Sequence, residues 1–174
     1  MLIIGCGNRQ RGDDGAGIRV AESLRKLGVK ADSWLGEPAD LIEAWRGADD
    51  VIVVDAVVTG APVGTVQAWD DPRPLVSLGR TASTHGFGLA EAIELARVLN
   101  RLPMRLRVYG IEGRRFELGA EISPEVQHAV EGVVHKIIAD VSAPQDSVGP
   151  SLRVWRSNEK LEFSPPIQWK AGRH

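Results

Sequence analysis

The chain has 174 residues, 43% of them hydrophobic and 25% charged, with a formal net charge of −2. That length supports one domain with a proper core, and the charge balance gives no bulk electrostatic case for a nucleic-acid or acidic-membrane partner. The single cysteine, Cys6, excludes a disulfide framework and a cysteine-rich zinc site within one chain and fits a reducing compartment.

Met1-Leu2-Ile3-Ile4 is an apolar run that reads as a buried strand, Leu2 to Gly5. It enters directly, with no basic region before it, so it is not read as a signal peptide. No apolar stretch approaches the ~20 residues needed to span a bilayer, and a cytoplasmic location is the expectation. The turn Gly5-Cys6-Gly7-Asn8 follows, then Gly12-Asp13-Asp14-Gly15-Ala16-Gly17. A helix is expected from about Gly15 to Leu27, with Ile18, Val20, Ala21, Leu24 and Leu27 at helical spacing and Gly28 as its stop. Val29 to Leu35 reads as a second strand. Glu37 to Trp45 reads as a short helix with Pro38 in its first turn. Asp50 leads into Val51-Ile52-Val53-Val54, a strand buried on both faces as parallel sheets require, and Asp55 ends it. Thr65 to Trp69 is a further strand, read as antiparallel. Asp70 to Thr84 is a loop, Leu89 to Leu99 a helix, Leu106 to Ile111 the last strand and Pro124 to Asp140 the last helix, with Ser123 as N-cap and Pro124 at N1.

This order predicts an α/β fold, a mixed and mostly parallel twisted sheet of about five strands sandwiched by helices. Residues 1–141 are assigned to one domain. From Ser142 the apolar period disappears, so 142–174 is read as a C-terminal extension. It is either disordered or a strap that packs Trp155, Phe163 and Trp169 on the domain, and its composition favours disorder.

A strand, a glycine turn and a helix usually form a nucleotide site, but the spacing here opposes one. The third glycine of a dinucleotide fingerprint would fall at Gln10, and a phosphate loop would carry a lysine and a hydroxyl where Asp13 and Asp14 stand. Two carboxylates repel phosphate and attract a cation. Ligands in open α/β sheets bind beyond the carboxyl ends of the strands. Asp14, after the first strand, and Asp55, ending another, reach one crevice if those strands are neighbours. The alternative is that Asp13 caps the first helix and Asp55 a turn; their joint placement at one edge favours a site. His85, in Ser83-Thr84-His85-Gly86, precedes a helix on a small-residue loop and is the third candidate. Two carboxylates and an imidazole suit a transition metal with open positions. His128 and His135 lack acidic partners at i+4. No nucleophile-elbow serine and no paired-histidine zinc motif occurs. Cys6 with His85 could form a nucleophile and base, but after a buried strand a small apolar role is favoured for Cys6.

These pieces together resemble the nickel-iron hydrogenase maturation proteases: Ile4-Gly5-Cys6-Gly7-Asn8 with Gly12-Asp13-Asp14-Gly15-Ala16-Gly17, Val53-Val54-Asp55-Ala56, Thr84-His85-Gly86 with Leu89, Gly110-Ile111-Glu112, and Leu118 with Ser123-Pro124-Glu125-Val126. The resemblance covers roughly residues 1 to 140. It implies a twisted mixed sheet between helices and an endopeptidase that removes the C-terminal extension of a hydrogenase large-subunit precursor after nickel insertion. It places the metal-directed, catalytic positions at Asp14, where the family often has glutamate, at Asp55 and at His85. It implies nickel as the metal, held by the precursor's cysteines or by the protein itself, and no organic cofactor. The implied partner is that precursor. A maturation chaperone that grips the precursor without cutting, and a Rossmann-like nucleotide binder using Gly5 and Gly7, are the alternatives.

Overall fold

The apolar runs fold in the expected order. The computed structural model describes residues 1–70, 88–142 and, as backbone, 152–156. The strands are β1 (Leu2–Cys6), β2 (Asp32–Trp34), β3 (Asp50–Val57), β4 (Thr65–Trp69), β5 (Arg105–Glu112) and β6 (Leu152–Arg156). The helices are α1 (Ala16–Lys26), α2 (Pro38–Ala44), α3 (Leu89–Val98) and α4 (Pro124–Ser142), and a 3-10 turn, Gly12–Gly15, precedes α1. The six strands form one sheet in the order β2-β1-β3-β5-β4-β6. β1 pairs parallel with β2 and β3, β3 parallel with β5, and β4 antiparallel with β5 and β6.

Five strands match the sequence reading. β2 is shorter than expected, because only Asp32–Trp34 pair with Ile4–Cys6. The sequence reading gave no element after Val141, yet β6 pairs with all of β4, Thr65 opposite Arg156 through Trp69 opposite Leu152. Its alternation, Leu152, Val154, Arg156 against Arg153, Trp155, is short and flanked by prolines and polar residues, so periodicity alone did not reveal it. Trp155 lies within this strand; Phe163 and Trp169 lie outside the described residues, as do His85 and most of the loop read at 70–84.

Each face of the sheet carries its own core. Ile3, Ile52, Val54 and Ile111 pack under α1 and α4, through Val20, Leu24, Val130, Val133 and Ile137. Ile4, Val51, Val53 and Val108 pack under α2 and α3, through Leu41, Trp45, Leu89 and Ile93. The opposite destinations of Val51 and Val53 against Ile52 and Val54 are the period-two alternation of a strand buried on both faces. α4 is tied to β5 by polar contacts: Arg107 Nη1 and the Tyr109 hydroxyl donate to Asp140 Oδ2 at 2.7 and 2.6 Å.

The chain leaves β1 toward β2 and then crosses to β3 on the other side, so β1 and β3 flank the topological switch point where α/β sheets bind ligands. Gly17, in the first turn of α1, sits on this junction. A Cβ there would lie 2.2 Å from the Val54 carbonyl oxygen and 2.4 Å from that of Cys6. Both are backbone atoms of neighbouring strands and cannot step aside. Gly17→Ala is therefore expected to destabilise the fold by about 1–3 kcal/mol, lowering Tm by about 2–10 °C at this chain length; thermal melting against wild type measures it, and an unchanged Tm would contradict the contact.

Candidate functional site

Asp13 and Asp14 are adjacent, buried and differently employed. Both sit in the 3-10 turn that leads into α1. Asp13 faces away from the β1–β3 junction, toward the 113–123 connection. Its Oδ2 accepts the backbone N–H groups of Arg114 and Arg115, each at 2.9 Å, and the Ser123 hydroxyl at 2.8 Å; its Oδ1 accepts the Ser123 N–H at 2.6 Å. Burial alone would raise this carboxyl. The donated backbone N–H groups and the Ser123 hydroxyl outweigh it and hold Asp13 below the usual aspartate range. The alternative in which Asp13 caps α1 does not hold: Gly15 occupies the N-cap of α1 and no side chain caps it. Asp13 instead staples the first loop to the chain that follows β5.

Asp14, 1% exposed, is held by the first loop folding over it. Asn8 donates its backbone N–H to Asp14 Oδ2 at 2.9 Å. Gly7 permits this turn. Its φ is +118°, and a Cβ at that position would lie 1.8 Å from the Asp14 carbonyl oxygen. Asp55 is half-buried near the carboxyl end of β3, in register with Gly110, and its Oδ1 accepts the N–H of Ala56 at 2.9 Å. By strand alternation it shares the face of Val51 and Val53, the face covered by α2 and α3.

The two carboxylates expected at one edge are brought together there. Burial, then the neighbouring negative charge of Asp14, pushes Asp55 up to about 8, against a partial opposing effect of the Ala56 N–H. A carboxyl perturbed by burial and a like-charged partner, in a crevice beyond strand ends, marks a functional site more often than a structural one. The same two acids act on Cys6. Burial first, then Asp55 and Asp14, drive its thiol well above its ordinary value. Cys6 is fully buried, so its expected role as a small core residue holds and the nucleophile reading does not.

His85 lies outside the described residues. α3 ends a short connection before β5 begins, so its N-terminus lies toward the carboxyl ends of the strands. Leu89, the first residue of α3, belongs to the same core cluster as Cys6. Gly88 is the N-cap of α3, and two residues, Gly86 and Phe87, separate it from His85 in sequence. Among the described residues no group of three potential metal ligands occurs. The donor chemistry present nevertheless fits a cation. Two carboxyl groups with hard oxygen atoms lie near enough for the charge of Asp14 to act on Asp55, and a divalent ion would relieve that repulsion.

Glu112 is a member that sequence reasoning missed. It is 2% exposed at the end of β5, and it accepts the Thr59 N–H and hydroxyl at 2.8 and 2.7 Å and the Gly60 N–H at 2.9 Å. It fixes the loop that follows β3, the strand bearing Asp55. The signal available was a lone carboxylate closing the strand read at Leu106 to Ile111, in which Arg107 is the one charged residue.

Two outcomes follow from this division. Asp13→Asn places an amide donor among four donors, and is expected to lose about 2–4 kcal/mol of stability; denaturant unfolding measures it, and Asp14→Asn is expected to lose less because it also removes a like-charge repulsion. Asp55 keeps a proton in the fold up to about pH 8, whereas a solvated aspartate releases it near pH 4. The folded state then binds the extra proton between those limits, and this group's contribution to stability declines as pH rises through them. Asp55→Asn should therefore flatten the decline in Tm between pH 5 and 8; an identical pH profile in wild type and variant would show that Asp55 titrates normally.

Residues 36–140 match the family model HycI, hydrogenase maturation protease. The chain is 28% identical over 137 residues to the hydrogenase expression/formation protein HupD of Thiocapsa roseopersicina, across 75% of this chain but only 62% of that protein's length. It is 25% identical over 146 residues to the hydrogenase 2 maturation protease of Escherichia coli, across 80% of this chain and 88% of that protein. The solved structure of the [NiFe] hydrogenase maturation protease HybD from Thermococcus kodakarensis superposes with a TM-score of 0.65 at 25% identity, covering 82% of this chain and 98% of that one.

Proposed function

The chain belongs to the hydrogenase maturation protease family, a family of peptidases, and from that premise we propose that it removes the C-terminal extension of a nickel-iron hydrogenase large-subunit precursor after nickel insertion. The observation that carries the reading is the Asp14–Asp55 pair at the β1–β3 switch point, with Asp55 pushed up to about 8. Asp14, Asp55 and His85 are the catalytic and metal-directed residues. The nickel they address belongs to the precursor, held by its own cysteines, so it is part of the substrate. No organic cofactor takes part.

Bound at this crevice, such an ion supplies Lewis-acid polarisation of the scissile carbonyl and acidifies an attacking water. The chain's residues do the rest. Asp55, held protonated by burial first and by the Asp14 charge second, gives up its proton when positive charge arrives and stabilises its ionised form. One carboxylate of the pair accepts a proton from the water as its oxygen bonds to the carbonyl carbon, and returns it to the amide nitrogen as the C–N bond breaks. His85 completes the set of groups directed at the ion. The cap that Gly7 and Asn8 form over Asp14 keeps its carboxylate oriented before the substrate arrives, which is where preorganisation gains rate.

An aspartic-type reaction is the second reading, and the raised Asp55 favours it: two close carboxylates sharing one proton can act as acid and base without an ion. Nickel-free precursor separates the two, since cleavage of that form supports the aspartic-type route. A chaperone that only grips the precursor would co-elute with it without shifting its mobility. Among the described residues no helix is long and apolar enough to cross a membrane, and we place the protein in the cytoplasm with its precursor.

Asp14→Ala and His85→Ala are each expected to slow processing of nickel-loaded precursor more than a hundredfold, the typical effect of losing a group that stabilises transition-state charge. Mobility shift of the large subunit, with circular dichroism of the variants unchanged, is the measurement. Near-normal cleavage by either variant would remove that residue from the catalytic centre.

A further inference from the structure

A second surface adjoins the site and plays no part in the chemistry above. Arg9, Glu22, Arg25 and Lys26 line an open groove of about 450 Å³ along the outer side of α1. Three cations face one carboxylate there, in a chain whose overall charge is −2. The groove begins at the catalytic loop. Arg9 directly follows Asn8, the residue whose N–H holds Asp14. Its backbone lies against the start of α1, since a Cβ on Gly15 would meet the Arg9 Cα at 3.0 Å. From there the Arg9 side chain reaches down the helix to Glu22, at 2.5 Å, with 57% and 27% of the two side chains exposed. Arg25 is fixed on the far wall, donating to the Ala31 carbonyl at 2.9 Å and to Ser33 Oγ at 3.2 Å. Lys26 closes the groove in the last turn of α1.

We infer that this groove binds an acidic stretch of the polypeptide being processed and so sets which precursor reaches Asp14 and Asp55. Its charge selects carboxylates. Along α1 its lining runs from Glu22 to Lys26, about 6 Å at about 1.5 Å per residue, which matches about two residues of extended chain. Glu22 is the internal competitor. An exposed ion pair is held weakly, so a substrate carboxylate can replace Glu22 on Arg9. A nucleic acid fits less well, because a chain of net negative charge repels a long polyanion beyond three local cations. The inference takes only the identity of the partner from the proteolytic reading.

The test uses the full chain without metal and a fluorescein-labelled peptide of alternating Glu and Gly, followed by anisotropy. Its Gln–Gly counterpart and an oligothymidylate are the controls. The Glu peptide should bind with an affinity that falls as salt rises, and both controls should bind more weakly. Lys26→Glu should weaken the Glu peptide about three- to tenfold, and Glu22→Gln should tighten it about two- to fivefold by freeing Arg9. In processing assays the same variants should move KM in those two directions with kcat unchanged. Equal binding of the Gln peptide, tighter binding of the oligothymidylate, or no shift in either variant overturns the inference even where precursor is cleaved normally. Correct peptide behaviour with no cleavage by wild type upholds the groove and overturns the proteolytic reading instead.

Discussion

How closely α1 approaches the sheet decides what the switch-point edge can hold. A helix carrying a side chain at position 17 would stand off from the strands, because its Cβ would meet two backbone carbonyls at once. With glycine there, the first turn of α1 rests on β1 and β3 together. The turn before it is drawn against the sheet, with Asp14 near the junction between the two strands and Asp13 turned to Arg114, Arg115 and Ser123. Two successive carboxyls thus become buried at 0% and 1% exposure. Burial of an ionised group is strongly unfavourable unless something answers its charge, and much of the surrounding structure is that answer.

The answers differ by role. Asp13 receives donors from Arg114, Arg115 and Ser123, so its charge is neutralised by backbone dipoles and its geometry is fixed. Glu112 is satisfied in the same way by Thr59 and Gly60. Both acids hold loops at the functional edge and have no lone pairs turned toward a substrate by any contact seen. Asp14 and Asp55 are placed against each other instead. Burial first, and the Asp14 charge second, favour the protonated form of Asp55 in the fold. A pair left in that condition responds to any incoming positive charge, whereas Asp13 and Glu112 do not.

Much of this was readable in the sequence, for identifiable reasons. The β-branched run at Val51–Val54 and the glycine-framed acidic loop have strong local signals, and Asp14 lies in the loop after β1 while Asp55 lies near the carboxyl end of β3, so strand order placed both at one edge. The assignment of Asp13 was not readable as a cap, because its partners lie about a hundred residues away, at Arg114 and Ser123. No local rule reaches that far. Glu112 was hidden for a similar reason: its donors come from the β3–β4 loop. Strand β6 escaped because five residues of alternation between polar segments fall below what periodicity can distinguish from loop. Its position is explained by β4, which would otherwise leave an unpaired edge of backbone groups, Thr65 to Trp69, at the side of the sheet.

The arrangement also separates stability from reactivity. The hydrophobic clusters on the two faces, the Asp13 staple and the Arg107–Asp140–Tyr109 contacts hold the fold without involving the Asp14–Asp55 pair. The pair is therefore free to be locally unfavourable. In such a site, an ion or proton that relieves the repulsion is bound more tightly by the folded chain than by the unfolded one, and its binding free energy adds to folding. Replacing Asp14 by a neutral group should then cost little stability while losing reactivity, the trade expected where residues are kept for chemistry rather than for packing. Asp13 has the opposite character, since its replacement disorders the loop and gains nothing. Two neighbouring aspartates with nearly the same burial thus differ in the size of the effect, and that difference comes from what surrounds each carboxyl, not from the residue type.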